Sequence, residues 1–396
     1  MLDFRLTEDQ ERLRSRARTF ARDVVQPHVR EMDRTNEYPW AVVKELAAAG
    51  FMGLTISQAY GGGGRPLIDA VLVVEELAKV CGTVARICVD ANTAVQKAIA
   101  AYGTESQRRR YLPAIAAGDK PAIAITEPEA GSAATSLTTT ATRTASGYAL
   151  NGEKRWITGA GVSQLYLVFA RFDDRPGSAG IGGILVDAST PGLSVSRVRL
   201  MMGVRGMPEG DVVFEDCRVE ADQMLVGPEG GFKRLMEAYN LQRVGASAVA
   251  LGIAQGALDL AAGFASRREQ FGRPIGDFQG IQWMLADMHI QIESARLLVY
   301  RAASNAGSGF VDKMEAATAK VHAAETAVTV TNTALQIHGA LGYSCDLPIE
   351  RMVRDARMFT IGGGTAQMQR NMIGKTVLAG AQTQLVEGAI TGLADG

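Results

Sequence analysis

The helical period that runs through the first 120 residues breaks near Ile123 into short strand-like runs, and it returns near Gly231. A helix repeats its buried side every 3.6 residues and a strand every two, so these two switches divide the chain before any residue has a role. In the first segment Thr7 is placed to cap a helix with apolar positions at Leu13, Ala17, Phe20 and Val24. Pro27 is expected to disturb that helix near its end, and a second helix starts near Pro39 and stops at Gly50. Gly61-Gly62-Gly63-Gly64-Arg65-Pro66 has the look of a phosphate cradle, but no Lys-Ser/Thr pair or βαβ pattern accompanies it, so it reads as a connector. Between Ile123 and Phe214 the runs Tyr148–Leu150, Leu165–Ala170, Ile181–Val186 and Asp211–Phe214 are separated by Asn-Gly, Pro-Gly and Gly-Gly, the punctuation of a small antiparallel β-domain. In the last segment Gly245, Ala246, Ala248, Ala250, Gly252, Ala254 and Gly256 permit close approach of helices in a bundle. The expected fold is therefore mainly α with a central β-domain: helices over 1–121, strands over 122–228, and a helical bundle over 229–396. Alternating βα units are absent, which removes the case for a Rossmann fold.

Composition narrows the function. With 396 residues, 47 % apolar and 21 % charged, the chain is long enough for two or three domains of ordinary globular make-up. A net charge of −1 argues against a nucleic-acid-binding surface. No uninterrupted apolar run reaches the roughly 20 residues that span a bilayer, and the mixed-charge start has no signal-peptide core. Cys81, Cys88, Cys217 and Cys345 show no CxxC spacing and the four histidines are scattered, so neither disulfides nor a metal site is expected, and a reduced cytoplasmic setting fits.

Four motifs carry chemistry. Ala124-Ile125-Thr126-Glu127-Pro128-Glu129-Ala130-Gly131-Ser132 offers hydroxyls and backbone N–H groups in a glycine-containing turn, although a capped entry loop would read the same way. Asn151-Gly152-Glu153-Lys154-Arg155-Trp156-Ile157-Thr158-Gly159 follows, equally a hairpin with a core Trp. Arg267-Arg268-Glu269-Gln270-Phe271-Gly272-Arg273-Pro274-Ile275 supplies a guanidinium fork, or a basic helix end, and Phe278-Gln279-Gly280-Ile281-Gln282 comes after it. Last come Gln336-Ile337-His338-Gly339-Ala340-Leu341-Gly342-Tyr343 and Gly364-Thr365-Ala366-Gln367. In order and spacing these resemble the signatures of the acyl-CoA dehydrogenase superfamily over roughly residues 5 to 375, with Ala133 and Ala340 as departures. The resemblance implies an N-terminal helical domain, a middle antiparallel β-domain and a C-terminal four-helix bundle. It also implies FAD, a coenzyme A thioester substrate and a homotetramer. Thr126, Ser132, Trp156 and Thr158 would then meet the flavin, with Ser132 also meeting the thioester. Arg268 would meet a phosphate, Gln270 and Phe271 the dinucleotide across a subunit boundary, Gln336 and Gly339 the adenine half of a neighbour's FAD, and Thr365 and Gln367 the pyrophosphate and ribose.

The same resemblance exposes a gap. The family's α-proton is taken by a glutamate either just before the Gly-Thr of the last turn or just before an arginine on the first bundle helix. Here those places hold Gly363 and Gln242, the latter followed by Arg243. Glu237, five residues earlier, points about 140° away on a 3.6-residue helix. With Arg86 in Cys81-Gly82-Thr83-Val84-Ala85-Arg86-Ile87-Cys88-Val89-Asp90, the pattern resembles the family's desulfinase branch, which releases sulfite from 3-sulfinopropanoyl-CoA. That branch implies Arg86 and Gln242 as catalytic residues, with Arg86 on the sulfinate and Ser132, Gln242, Arg243 and Gly363 around the substrate. Three readings stay open beside it. Arg86 can pair with Asp90 on a solvated helix face. The chain can be a desaturating dehydrogenase with another base, passing electrons to electron-transferring flavoprotein. It can also be an acyl-CoA-binding flavoprotein without turnover.

Overall fold

Thr7 caps the first helix, α1 (Glu8–Phe20), its hydroxyl accepting from the Gln10 N–H at 3.2 Å while the Gln10 side chain accepts from the Thr7 N–H. The computed structural model describes residues 5–173 and 175–384. Pro27 does not end the helical path. It lies in a 3₁₀ turn, Gln26–His28, that follows a π-helical turn, Ala21–Val25, and precedes α2 (Val29–Thr35), so the missing N–H falls where the winding changes. α3 (Trp40–Ala48) begins after Pro39 and closes at Gly50, whose φ is 72°. The glycine run after it is a connector folded back on its approach: a Cβ on Gly62 would lie 2.3 Å from the Ile56 carbonyl oxygen. Next come α4 (Leu67–Ala78), α5 (Gly82–Asn92), α6 (Ala94–Tyr102) and α7 (Glu105–Ala116), and every residue of α4 and α5 is buried.

Eight strands form the central sheet: β1 (Pro121–Ala124), β2 (Thr140–Arg143), β3 (Gly147–Thr158), β4 (Leu165–Phe172), β5 (Ile181–Asp187), β6 (Leu193–Arg199), β7 (Glu209–Glu220) and β8 (Met224–Val226). Their order is β6-β7-β3-β2-β4-β5-β8, with β1 also beside β4. The sheet is mixed rather than purely antiparallel, because β1 and β2 both run parallel to β4. Asn151-Gly152, expected as a turn, is instead a bulge inside β3. Gly152 has φ 146°, and a Cβ there would sit 2.6 Å from the Thr139 hydroxyl. β4 is apolar on both sides: Leu165, Leu167 and Phe169 join the core shared with the helices, and Tyr166, Val168 and Ala170 fill a second core on the other face.

The chain then enters α8 (Gly231–Ala265), a two-stranded ribbon of β9 (Glu269–Gln270) and β10 (Arg273–Pro274), and the helices α9 (Gln279–Ala306), α10 (Lys313–His338), α11 (Ala340–Tyr343), α12 (Ile349–Met358) and α13 (Ala366–Gln384). The long helices α8, α9 and α10 pack on one another, with α12 and α13 against α10. The small residues of α8 do what their size suggests. A Cβ on Gly252 would lie 2.4 Å from the Glu75 carbonyl oxygen of α4, and one on Gly256 would lie 2.3 Å from that of Lys79. Although the sequence has no uninterrupted apolar run of spanning length, α8 averages to one, alone among the described residues. Some 67 % of its most apolar window is buried inside the protein.

Candidate active site

One cavity of about 660 Å³ opens between the sheet, α5, α8 and the glycine turn before α13. Nine of the expected site residues line it: Arg86, Thr126, Ser132, Trp156, Thr158, Gln242, Arg243, Gly363 and Thr365. Arg268, Gln270, Phe271, Gln336, Gly339 and Gln367 do not. They are exposed elsewhere on the surface, Phe271 at 93 %.

The loop Thr126–Ser132 is held from below by Glu127. Its carboxylate accepts from Lys154 Nζ at 2.8 Å, from the Thr138 N–H and hydroxyl at 2.6 and 2.8 Å, and from the Thr139 N–H at 2.9 Å. Burial alone would raise its pKa, but Lys154 and those donors hold it at about 2. The Thr126 and Ser132 hydroxyls make no hydrogen bond among the described residues. In β3 a second irregularity between Lys154 and Ile157 puts Trp156 at φ 59° and turns its ring out of the sheet, half exposed, with the Arg199 guanidinium 4.4 Å from the ring centre.

The far wall is a charged network that joins α5 to α8. Arg86 Nη1 and Gln242 Nε2 both donate to Asp90 Oδ1, the latter at 2.6 Å, and Lys120 Nζ lies 2.9 Å from Asp90 Oδ2. Among the described residues, Arg86 Nε has no hydrogen-bond partner. The bond from Gln242 Nε2 to Asp90 sets the orientation of the carboxamide, and its Oε1 faces the Thr93 hydroxyl, whose single proton is shared between that oxygen and the Val89 carbonyl oxygen at 2.8 Å. Lys120 also donates to the carbonyl oxygens of Pro121 at 3.2 Å and Thr158 at 3.0 Å, which fixes its ammonium beside Asp90. Burial would push the Asp90 carboxyl up, but Arg86 and Lys120 keep it below the ordinary carboxylate range. The pairing of Arg86 with Asp90 is thus real, but it lies on a wholly buried helix and not on a solvated face.

The turn before α13 is pinned by two cations. Arg243 Nε donates to the Gly363 carbonyl oxygen at 3.2 Å, and Lys320 Nζ donates to that of Gly364 at 2.6 Å. Glu237 is not in the cavity wall and accepts from the Tyr102 hydroxyl at 3.2 Å. Sequence reasoning missed Asp90, Lys120 and Glu209. Glu209, opposite Thr158 at the start of β7, accepts from the Thr158 hydroxyl at 2.7 Å. Burial pushes its carboxyl up to about 7, against the pull of Thr158, Arg86 and Lys120. Among the described residues, Asp90 and Glu209 are the carboxyls that line the cavity. The one signal available was a Glu facing a motif residue across a strand pair, and nothing in the sequence shows that pairing.

A helical segment, a sheet and a helical bundle that share such a cavity define a class. Residues 7–119, 122–217 and 229–378 match the N-terminal, middle and C-terminal domains of acyl-CoA dehydrogenases, and the chain belongs to that family. Within the family it is 52 % identical to a 3-sulfinopropanoyl-CoA desulfinase of Paraburkholderia xenovorans, over 95 % of this chain and 97 % of that one. It is 40 % identical to a short-chain-specific acyl-CoA dehydrogenase of Clostridium acetobutylicum, over 94 % of this chain and 98 % of that one. The fold is similar to that of butyryl-CoA dehydrogenase from Megasphaera elsdenii, with a TM-score of 0.92 and 36 % identity over 95 % of this chain and 100 % of that one. It is also similar to a Mycobacterium smegmatis glutaryl-CoA dehydrogenase in complex with FADH2, with a TM-score of 0.88 and 25 % identity over 94 % of this chain and 95 % of that one.

Proposed function

We propose that this protein hydrolyses the carbon–sulfur bond of 3-sulfinopropanoyl-CoA, R–SO2⁻ + H2O → R–H + HSO3⁻, giving propanoyl-CoA and sulfite. One observation carries the reading. Arg86 is buried in the cavity wall with one nitrogen tied to Asp90 and its Nε–H unpartnered, beside Gln242 where a family subgroup carries its base. A guanidinium with a free edge suits the two oxygens of a sulfinate, and the likeness to desulfinase-named relatives supports the assignment. The amide at position 242 also has a chemical purpose. A carboxylate beside the α-carbon of a β-sulfinyl thioester would promote elimination to acryloyl-CoA. Gln242 and Gly363 leave both family base positions without one.

FAD is the cofactor in this reading. The free hydroxyls of Thr126 and Ser132 and the turned-out Trp156 fit a flavin edge and face, and Thr158 stands beside them. When bound, FAD would supply a polar surface to the site, and the balanced reaction requires no change in its redox state. Arg243 holds the Gly363 carbonyl and so shapes the acyl end of the cavity. Thr365 and Gln367 would take the pyrophosphate and ribose side. Arg268, Gln270, Phe271, Gln336 and Gly339 would meet the FAD of a neighbour in a homotetramer. The exposed Phe271 and the exposed Trp283, Ile290 and Leu297, seven residues apart along α9, support an interface on this side.

The purified protein is expected to release one sulfite per 3-sulfinopropanoyl-CoA, and to reduce no dye with butanoyl-CoA. A second reading, a desaturating dehydrogenase coupled to electron-transferring flavoprotein, draws on Glu209 as a carboxyl in the same cavity. Dye reduction without sulfite would select it. Binding of acyl-CoA with neither product would leave a non-catalytic flavoprotein.

A further inference from the structure

The desulfination written above needs a proton at C3, and the cavity wall narrows its source. Arg86 stays protonated at any working pH. Lys120 is committed to two carbonyl oxygens, those of Pro121 and Thr158, and to the ion pair with Asp90. Asp90 takes hydrogen bonds from Arg86 and Gln242 on Oδ1 and has the Lys120 ammonium 2.9 Å from Oδ2, and these groups hold it ionised. Gln242 does not titrate, and burial pushes the Tyr239 hydroxyl further up from its ordinary range. That leaves Glu209. Thr158 occupies one of its oxygens, Oε1, and Oε2 makes no hydrogen bond among the described residues.

We propose that Glu209 is the proton donor of the reaction, giving its proton to C3 of the substrate as the C–S bond breaks. The bonding pair stays with carbon, so R–SO2⁻ and the carboxylic acid become R–H, SO2 and the carboxylate. SO2 then takes up water to give HSO3⁻, and the proton released returns to Glu209. Atoms, charge and electrons balance without an oxidant or reductant. The groups that face Glu209 fix its working range. Thr158 on β3, Arg86 on α5 and Lys120 before β1 favour the carboxylate, while burial and Asp90 on α5 favour the acid, and the balance lies at about 7. A general acid works best when its pKa lies near the operating pH. The acid form is the active one, so turnover should be full below that range and fall as pH rises through it. The hydrogen bond from Thr158 has a place in this scheme. It holds the carboxyl at the end of β7 and leaves the other oxygen to carry the mobile proton.

This assignment rests on the desulfinase reading, and the experiment separates the two. Sulfite release from 3-sulfinopropanoyl-CoA would be followed for wild type, Glu209→Gln and Glu209→Asp from about pH 5.5 to about 9.5, with flavin content and thermal melting checked in each. The expected result is an alkaline loss of kcat in wild type. Glu209→Gln should lose about 10²–10⁴-fold in kcat with KM little changed, and Glu209→Asp should recover part of it. A Glu209→Gln variant within about threefold of wild type, or a wild-type kcat flat across the range, would overturn the proposal while leaving the desulfinase reading in place. If Glu209→Gln does not fold, the wild-type profile and Glu209→Asp decide by the same criteria. A wild type that makes no sulfite ends both.

Discussion

Asp90→Ala is expected to lower folding stability by about 3–5 kcal/mol and to abolish turnover. Asp90 is the counter-charge for two buried cations at once, Arg86 through Oδ1 and Lys120 through Oδ2. Removing one partner of a buried pair leaves an uncompensated charge, which costs about that much. Here two are left. The comparison with Arg86→Ala makes the claim sharper, because that change leaves Asp90 still paired with Lys120 and bonded to Gln242. Urea denaturation should therefore rank Asp90→Ala as the more damaging of the two. The reverse order would mean that the network is not organised around the carboxylate. Arg86→Lys keeps the charge but loses the planar fork, so it should retain most of the stability and little of the sulfite release.

Gln242→Glu, the obvious way to restore a family base, should fail to give a dehydrogenase. Gln242 Nε2 donates to Asp90 Oδ1 at 2.6 Å, and a carboxylate there would place two anionic oxygens in contact. Two carboxylates so close do not both ionise, and one pKa rises. A carboxyl with a raised folded pKa contributes stability below its unfolded value of about 4.3, and that stability is lost as pH rises through the folded value. Each unit of the rise costs about 1.4 kcal/mol at higher pH. Gln242→Glu should thus melt progressively earlier above about pH 5, and Gln242→Glu with Asp90→Asn, which swaps amide and carboxylate, should recover much of the loss. Equal stability of Gln242→Glu and wild type at pH 8 would show that the amide does not hold Asp90 in solution. Gly363→Glu is the better restoration. A Cβ at Gly363 has nothing within 4 Å, and the cost is a left-handed residue at φ 75°, about 1–2 kcal/mol. Dye reduction with butanoyl-CoA should rise about 10²–10⁴-fold over wild type in that variant.

Local features of the fold were legible along the chain, because their causes are local. The Thr7 cap, the stop at Gly50 and the stripe of small residues on α8 each depend on neighbours within a few positions. The strands extend beyond their apolar runs, and the turn signal at Asn151-Gly152 is overridden by a bulge dictated by Thr139 on another segment. The site divides in the same way. Arg86 and Gln242 stood out against a family pattern, but the atom that joins them belongs to Asp90, which reads along the sequence as an ordinary helical ion-pair partner. Its burial comes from α8 closing over α5, a contact between residues some 150 positions apart. Glu209 was missed for a similar reason. A glutamate at a strand start signals solvent until the cavity around it is known.

The spacing of α5 and α8 is set by an absent methyl group. Gly245 lies one helical turn beyond Gln242, and a Cβ on it would come 2.6 Å from Cγ1 of Val89, the neighbour of Asp90. The polar contact that orients the carboxamide is therefore gauged by a purely steric quantity on the adjoining turn, much as a shim sets the gap between two machined faces. Substrate geometry in such a site tolerates little error, since about 1 Å of misplacement can cost about a hundredfold in rate. Position 245 carries no reactive atom, yet it governs the distance across which the reactive ones work.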